Sequence, residues 1–171
     1  GDRAWIERLS DADYVALQAE LRGIKLSRGM DIYAQADARF FDALAQAHGH
    51  PADRAFFRLY RGFWDQHDFP RYLAPSGGTT LCVRFGEGII PSLYSQWRAF
   101  AQKYPTAYVD FTQQTLRDLE EAVGLGVCAC GDAHSVEREL KGFVRQFPKT
   151  AVADQVRARL QELKATPDRH P

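Results

Sequence analysis

Phe100-Ala101-Gln102-Lys103-Tyr104-Pro105-Thr106 lies over Phe143-Val144-Arg145-Gln146-Phe147-Pro148-Lys149 at an offset of 43 residues, and the fold class follows from that pair of stretches. In each copy an aromatic pair at i and i+4 sets two rings on one helical face, and the proline that follows cannot continue a helix interior. A new helical period then begins at once. Tyr108, Phe111, Thr115 and Leu119 share a stripe after Pro105, and Val152, Val156, Leu160 and Leu163 share one after Pro148. Each copy therefore reads as a helix end followed by a helix that folds back on it. Two such hairpins, stacked, can bury their stripes in one core.

Working outward, Leu93, Trp97, Phe100 and Tyr104 give the helix before Pro105, and Val136, Leu140, Phe143 and Phe147 the helix before Pro148. Toward the N-terminus, Ser10 followed by Asp11 and Asp13 reads as a helix start, with Tyr14, Leu17 and Leu21 on one stripe and Gly23 closing it. A second helix is expected from about Asp31 to Ala47, on Tyr33, Ala36, Phe40 and Leu44, and a third from about Ala52, on Phe56, Tyr60 and Phe63. Seven helices are expected in all. The expected class is all-α, either stacked antiparallel helix hairpins or an irregular helical bundle, with 1–165 as a single domain and a polar tail over 166–171.

The helical period fails from about 68 to 91, where Pro70, Pro75, Gly77, Gly78, Gly86, Gly88 and Pro91 punctuate the chain. Within it Leu81, Val83 and Phe85 alternate with Thr80, Cys82 and Arg84, the pattern of a short strand. Its candidate partner is Leu125 to Cys130. That pairing would form a small β-ribbon and bring Cys82 toward Cys128 or Cys130.

The run Phe143-Val144-Arg145-Gln146-Phe147-Pro148-Lys149-Thr150-Ala151-Val152-Ala153-Asp154, with Ala158, Arg159 and Leu160, resembles the C-terminal repeat of tetratricopeptide-like proteins of the bacterial cell envelope. The resemblance covers about a third of the chain. It implies a scaffold that binds other proteins and is exported or lipid-anchored. The chain departs from the full repeat in lacking the Gly-Tyr and Ala pattern of its first helix, in its longer period, and in the strand-like segment.

Composition narrows the function classes. Basic and acidic residues number 22 each, so the formal charge is zero and no strong field exists for nucleic-acid backbones or anionic lipid. With 45% hydrophobic and 26% charged residues the chain is of the globular kind, and no apolar run reaches membrane-spanning length. Seventeen Arg against five Lys, with abundant Ala, fit bacterial GC-rich coding. The chain opens Gly1-Asp2-Arg3 and its only Met is Met30, so the stretch before Gly1 is read as removed, by tag cleavage or by natural processing, and a periplasmic or envelope location is the expectation.

Candidate chemistry is sparse. Val127-Cys128-Ala129-Cys130-Gly131-Asp132-Ala133-His134 is the most unusual string, and it admits two readings. In one, Cys82 bridges to Cys128 or Cys130, leaving one thiol, and Asp132 or Ser135 caps the next helix. In the other, Cys82, Cys128, Cys130 and His134 form a Cys3His metal site, although one residue between cysteines is a poor zinc spacing. His48 and His67 fall at opposite ends of a helix pair, roughly 24 Å apart for sixteen residues. Glu87, Asp110, Asp118, Glu120 and Glu121 sit on polar faces or helix starts. No phosphate loop or nucleophile elbow occurs.

Aromatic residues are the better lead, at 21 of 171. Phe69, Tyr72 and Phe85, on the irregular segment, are expected to anchor a protein partner, or else to pack the loop onto the helices. The expectation is a non-enzymatic envelope protein without cofactor that binds another protein: an adaptor, an assembly factor or an inhibitor of immunity type. The alternative is a metal- or thiol-dependent enzyme centred on Cys128, Cys130 and His134.

Overall fold

The computed structural model describes residues 9–28, 32–64, 69–76, 80–125 and 128–165. They belong to two compact units, Gly1–Arg61 and Gly62–Pro171. Among the described residues the chain is mostly helical, with seven helices and two small sheets of two and three strands.

In the first unit, α1 (Asp11–Glu20) starts at Ser10, whose hydroxyl accepts the Asp13 N–H at 3.1 Å. β1 (Ile24–Arg28) and β2 (Ile32–Ala36) then pair antiparallel, with Ile24 opposite Ala36 and Leu26 opposite Ala34. Helix α1 guards the open edge of β1. The Gln18 carboxamide donates to Ile24 O at 2.8 Å and accepts from Leu26 N at 2.7 Å, as a neighbouring strand would, and the Tyr14 hydroxyl donates to Leu26 O at 2.6 Å. Next come α2 (Ala38–His48) and α3 (Pro51–Phe63), joined through stacked Phe41 and Phe57 rings 5.5 Å apart. Buried Asp42 accepts from Arg61 at 2.9 Å.

The hairpin corrects the expected helix from Asp31. Ile32–Ala36 is strand, and the helix begins only where the Asp37 carboxylate accepts the Arg39 and Phe40 N–H groups. Tyr33, Ala36 and Phe40 matched a helical spacing by chance, while Ile24, Leu26 and Arg28 alternated against a facing strand. The all-α expectation is corrected with it, to a mostly helical chain carrying two small sheets.

The second unit holds α4 (Ile89–Lys103), α5 (Val109–Leu125), α6 (Ala133–Gln146) and α7 (Ala153–Ala165). Helix α4 packs on α5 and α6, and α7 packs on α5 and α6. The core is made where these faces meet: Trp97, Phe143, Ile90, Leu119, Leu140, Val123, Val136 and Val156 are fully buried.

The two repeated stretches end their helices in the same way. Tyr104 (φ −131°, ψ 67°) donates its N–H to Phe100 O at 2.9 Å, and Phe147 (φ −128°, ψ 57°) donates to Phe143 O at 2.8 Å. Ring centroids lie 5.3 Å apart in the first pair and 5.1 Å in the second. Three residues on, Ala107 donates to Tyr104 O and Thr150 to Phe147 O. Sequence likeness here is likeness of backbone.

The irregular segment is a sheet. β3 (Leu73–Pro75) pairs antiparallel with β4 (Leu81–Arg84), and β4 pairs parallel with β5 (Ala129–Cys130), Val83 opposite Ala129 and Arg84 opposite Cys130. The expected strand and its partner are both present, and β3 adds a third strand.

Candidate functional site

The parallel pairing of β4 with β5 sets Cys82 and Cys130 with Cα atoms 5.2 Å apart, and they form a disulfide. Cys128 is the free and exposed thiol. Its carbonyl accepts the Val83 N–H at 2.8 Å, and its Sγ lies 3.9 Å from Ser76 Oγ. It borders a hollow of about 310 Å³ together with Tyr72, Leu81, Asp118 and Glu121. Burial first, then the negative charges of Asp118 and Glu121, push the Tyr72 phenol up to about 12.

The Cys3His metal reading is corrected here, because the disulfide consumes two of its three thiolates. His134 is exposed in the first turn of α6 and borders a different hollow. Among the described residues no group of three or more His, Cys, Asp or Glu side chains is placed to hold a metal ion. The Cys128 hollow is lined by two carboxylates and by no Lys, Arg or His, whereas reactive thiolates occur in electropositive settings. His67 lies outside the described residues.

Of the two expectations for the aromatic residues of this segment, packing onto the helices describes Tyr72 and Phe85, not exposure as anchors. Tyr72 is 7% and Phe85 4% exposed, so both are core residues, and Phe69 is half-buried. Tyr72 packs on the Phe63 ring at 6.0 Å, and Phe85 lies under the Arg159 guanidinium at 5.1 Å. The reason is the sheet: strand pairing satisfies the backbone of the segment, so its rings can turn into the helical core.

Two charged residues of the second helix pair hold the ends of the first. Glu139 on α6 is 3% exposed, and its carboxylate accepts the N–H groups of Gly86 at 3.0 Å, Gly88 at 2.8 Å and Ile90 at 3.3 Å. These are donors at the start of α4, where Gly88 supplies no side-chain cap. Gly86 (φ +90°) is required there, since a Cβ would meet Ser135 Cβ at 2.8 Å. Arg159 on α7 donates to Ala122 O at 3.2 Å and Val123 O at 3.1 Å, in the last turn of α5. Each charge has the sign its helix end favours. Tyr94 on α4 donates to the Glu120 carboxylate on α5, and with burial this raises the Tyr94 phenol well above its ordinary range.

A concavity lies between α4 and α6. It encloses about 700 Å³ and is walled by Ser92, Ser95 and Gln96 on α4 and by Gly142, Arg145 and Gln146 on α6. Gly142 stands inside a helix, where Gly costs about 1 kcal/mol relative to Ala, yet a Cβ there would meet nothing within 4 Å. The fold does not need this glycine; the groove is deeper for it. A second hollow of about 290 Å³ shares Gly142 and Arg145 and adds His134, Glu137, Arg138 and Lys141.

Sequence reasoning passed over this face. The signal was His134, Arg138, Lys141 and Arg145 at helical spacing, opposite a helix, 89–103, without a single Asp or Glu.

No family model, no curated protein and no solved structure matches the chain.

Proposed function

We propose that the chain is a non-enzymatic protein-binding module of the bacterial cell envelope, built as tetratricopeptide-like stacked antiparallel hairpins, α4–α5 on α6–α7. Supporting the stacked arrangement are the two matching helix junctions and the pattern of packing, in which α4 touches α5 and α6 while α7 touches α5 and α6. Supporting the location is the Cys82–Cys130 disulfide, which suits an oxidising compartment. No described helix is long and apolar enough to cross a membrane.

The observation that carries the binding role is the α4–α6 groove with Gly142 in its wall. It is a concavity between two helices, its lining mostly apolar with Ser92, Ser95, Gln96, Arg145 and Gln146 on its walls, open at Gly142 where the fold has room for a side chain. The binding surface moves there from the irregular segment, whose rings the core has taken. The test is affinity capture from native envelope extract, comparing the intact protein with a Gly142→Trp variant whose fold is verified by circular dichroism. A partner held by the intact protein and released by the variant supports the reading, and one held equally by both contradicts it.

A further inference from the structure

We infer that the α4–α6 groove, together with the adjoining hollow that shares Gly142 and Arg145 with it, takes an acidic peptide segment in polyproline II form, with carboxylates spaced three residues apart; this rests on the protein-binding reading and specifies its partner. The first ground is charge. The chain is neutral overall, but helix 89–103 has Arg98 and Lys103 and no acid. Helix α6 presents His134, Arg138, Lys141 and Arg145 along one side. Of the α6 carboxylates, Glu139 is buried on backbone N–H groups and Glu137 is bound to Lys141 at 2.8 Å. Asp132, just before the helix, accepts the Ser135 N–H at 2.7 Å and also lies within the charge field of His134 and Arg138 without forming an ion pair among the described residues. Among the described residues Arg138 and Arg145 make no ion pair, and both are exposed.

The second ground is spacing. Arg138 and Arg145 stand two turns apart on one helix, about 10 Å along its axis. A peptide in the polyproline II conformation advances about 3.1 Å per residue with three residues per turn, so carboxylates three residues apart lie on one side, about 9 Å apart, and meet both guanidiniums. Arginine is suited to that contact, since its planar fork grips a carboxylate in two bonds.

The third ground is the opposite wall. Ser92, Ser95 and Gln96, with Gln146 beside Arg145, offer neutral donors and acceptors suited to the amides of an extended backbone. Two unpaired guanidiniums are too few for the counterion-driven binding of nucleic acid, which needs several phosphate contacts.

The test is fluorescence anisotropy with a labelled peptide of about ten residues, carrying Glu at every third position among Pro, Ser and Gln so that the carboxylates share one side of a polyproline II helix, against the same peptide with Gln for Glu. The expected result is at least about tenfold tighter binding of the Glu peptide. That preference should vanish in about 0.5 M salt, where the screening length shrinks to a few ångströms. Arg138→Glu with Arg145→Glu should abolish it, Arg145→Glu alone should weaken it, and Arg117→Glu on α5 should leave it unchanged. Equal binding of the two peptides, or indifference to charge reversal in a folded variant, overturns the inference. Tighter binding of single-stranded RNA or phosphatidylglycerol vesicles than of the Glu peptide also overturns it. If Gly142→Trp releases a captured partner while the Glu peptide does not bind, the inference fails and the protein-binding reading stands. If neither is seen, both fail.

Discussion

The Glu139 carboxylate on α6 accepts the Gly88 N–H at the start of α4, 2.8 Å away and 51 positions apart in sequence. One buried acid thereby closes a helix start that has no cap of its own, and fixes how α6 lies against α4. Glu139→Ala leaves three backbone donors without their acceptor and should cost about 3 kcal/mol, read as a lowered urea midpoint. Glu139→Gln keeps an acceptor oxygen and should cost less. Equal midpoints for wild type and Ala would deny the carboxylate this role.

The disulfide closes a long loop. Cys82 and Cys130 are 48 positions apart, for which chain entropy gives a stabilisation of up to about 4 kcal/mol. Cys82→Ser should lower the thermal midpoint of the oxidised protein, and Cys128→Ser should leave it nearly unchanged. Thiol titration in denaturant should find one reactive thiol before reduction and three after. Three thiols before reduction would contradict the pairing.

Alkaline stability follows from the phenols. Tyr72 is pushed to about 12 in the fold, by burial first and then by Asp118 and Glu121, against an ordinary value near 10. The folded state keeps a proton that the unfolded chain gives up, so this stability is whole below pH 10 and is lost as pH rises toward 12. Tyr94, raised by burial and its bond to Glu120, acts in the same sense. Unfolding midpoints measured across that window should fall, and the fall should be shallower in Tyr72→Phe.

Arg159 holds the last turn of α5 through two carbonyls and covers the Phe85 ring. Arg159→Met keeps part of the aliphatic packing and removes the charge, so a loss of about 1–2 kcal/mol is expected in chemical unfolding. No change would mean that solvent satisfies those carbonyls equally well.

Gly142→Ala should raise stability by about 1 kcal/mol, since the helix gains and no neighbour is displaced. A lower midpoint would show that the glycine serves the fold, and would remove one ground for reading the groove as a site.

The helical half was legible because its signals are local. Phe100 and Tyr104, like Phe143 and Phe147, mark helix ends by spacing and by the proline that follows, and the backbone repeats there as the letters do. Of the two cap candidates, Asp132 and Ser135, Asp132 is the cap. The β1–β2 hairpin was missed because Tyr33, Ala36 and Phe40 satisfy a helical period while strand pairing is decided across the chain, by Ile24 facing Ala36. Tyr72 and Phe85 admit two readings in the sequence, surface anchor or core packing, for a related reason: a segment dense in Pro and Gly looks like loop until its backbone finds partners. The groove depends on which faces α4 and α6 turn to one another, and on Glu139 spending its charge inside. Spacing along either helix alone does not contain that.

The most direct test of the account is amide chemical-shift mapping of the isotope-labelled protein as a captured partner is titrated in. Perturbations confined to the walls of the groove and its adjoining hollow, Ser92 to Gln96 and Arg138 to Gln146, and absent in Gly142→Trp, are the predicted result. Perturbations centred on the Cys128 hollow or on the first unit, with the groove walls silent, would contradict it.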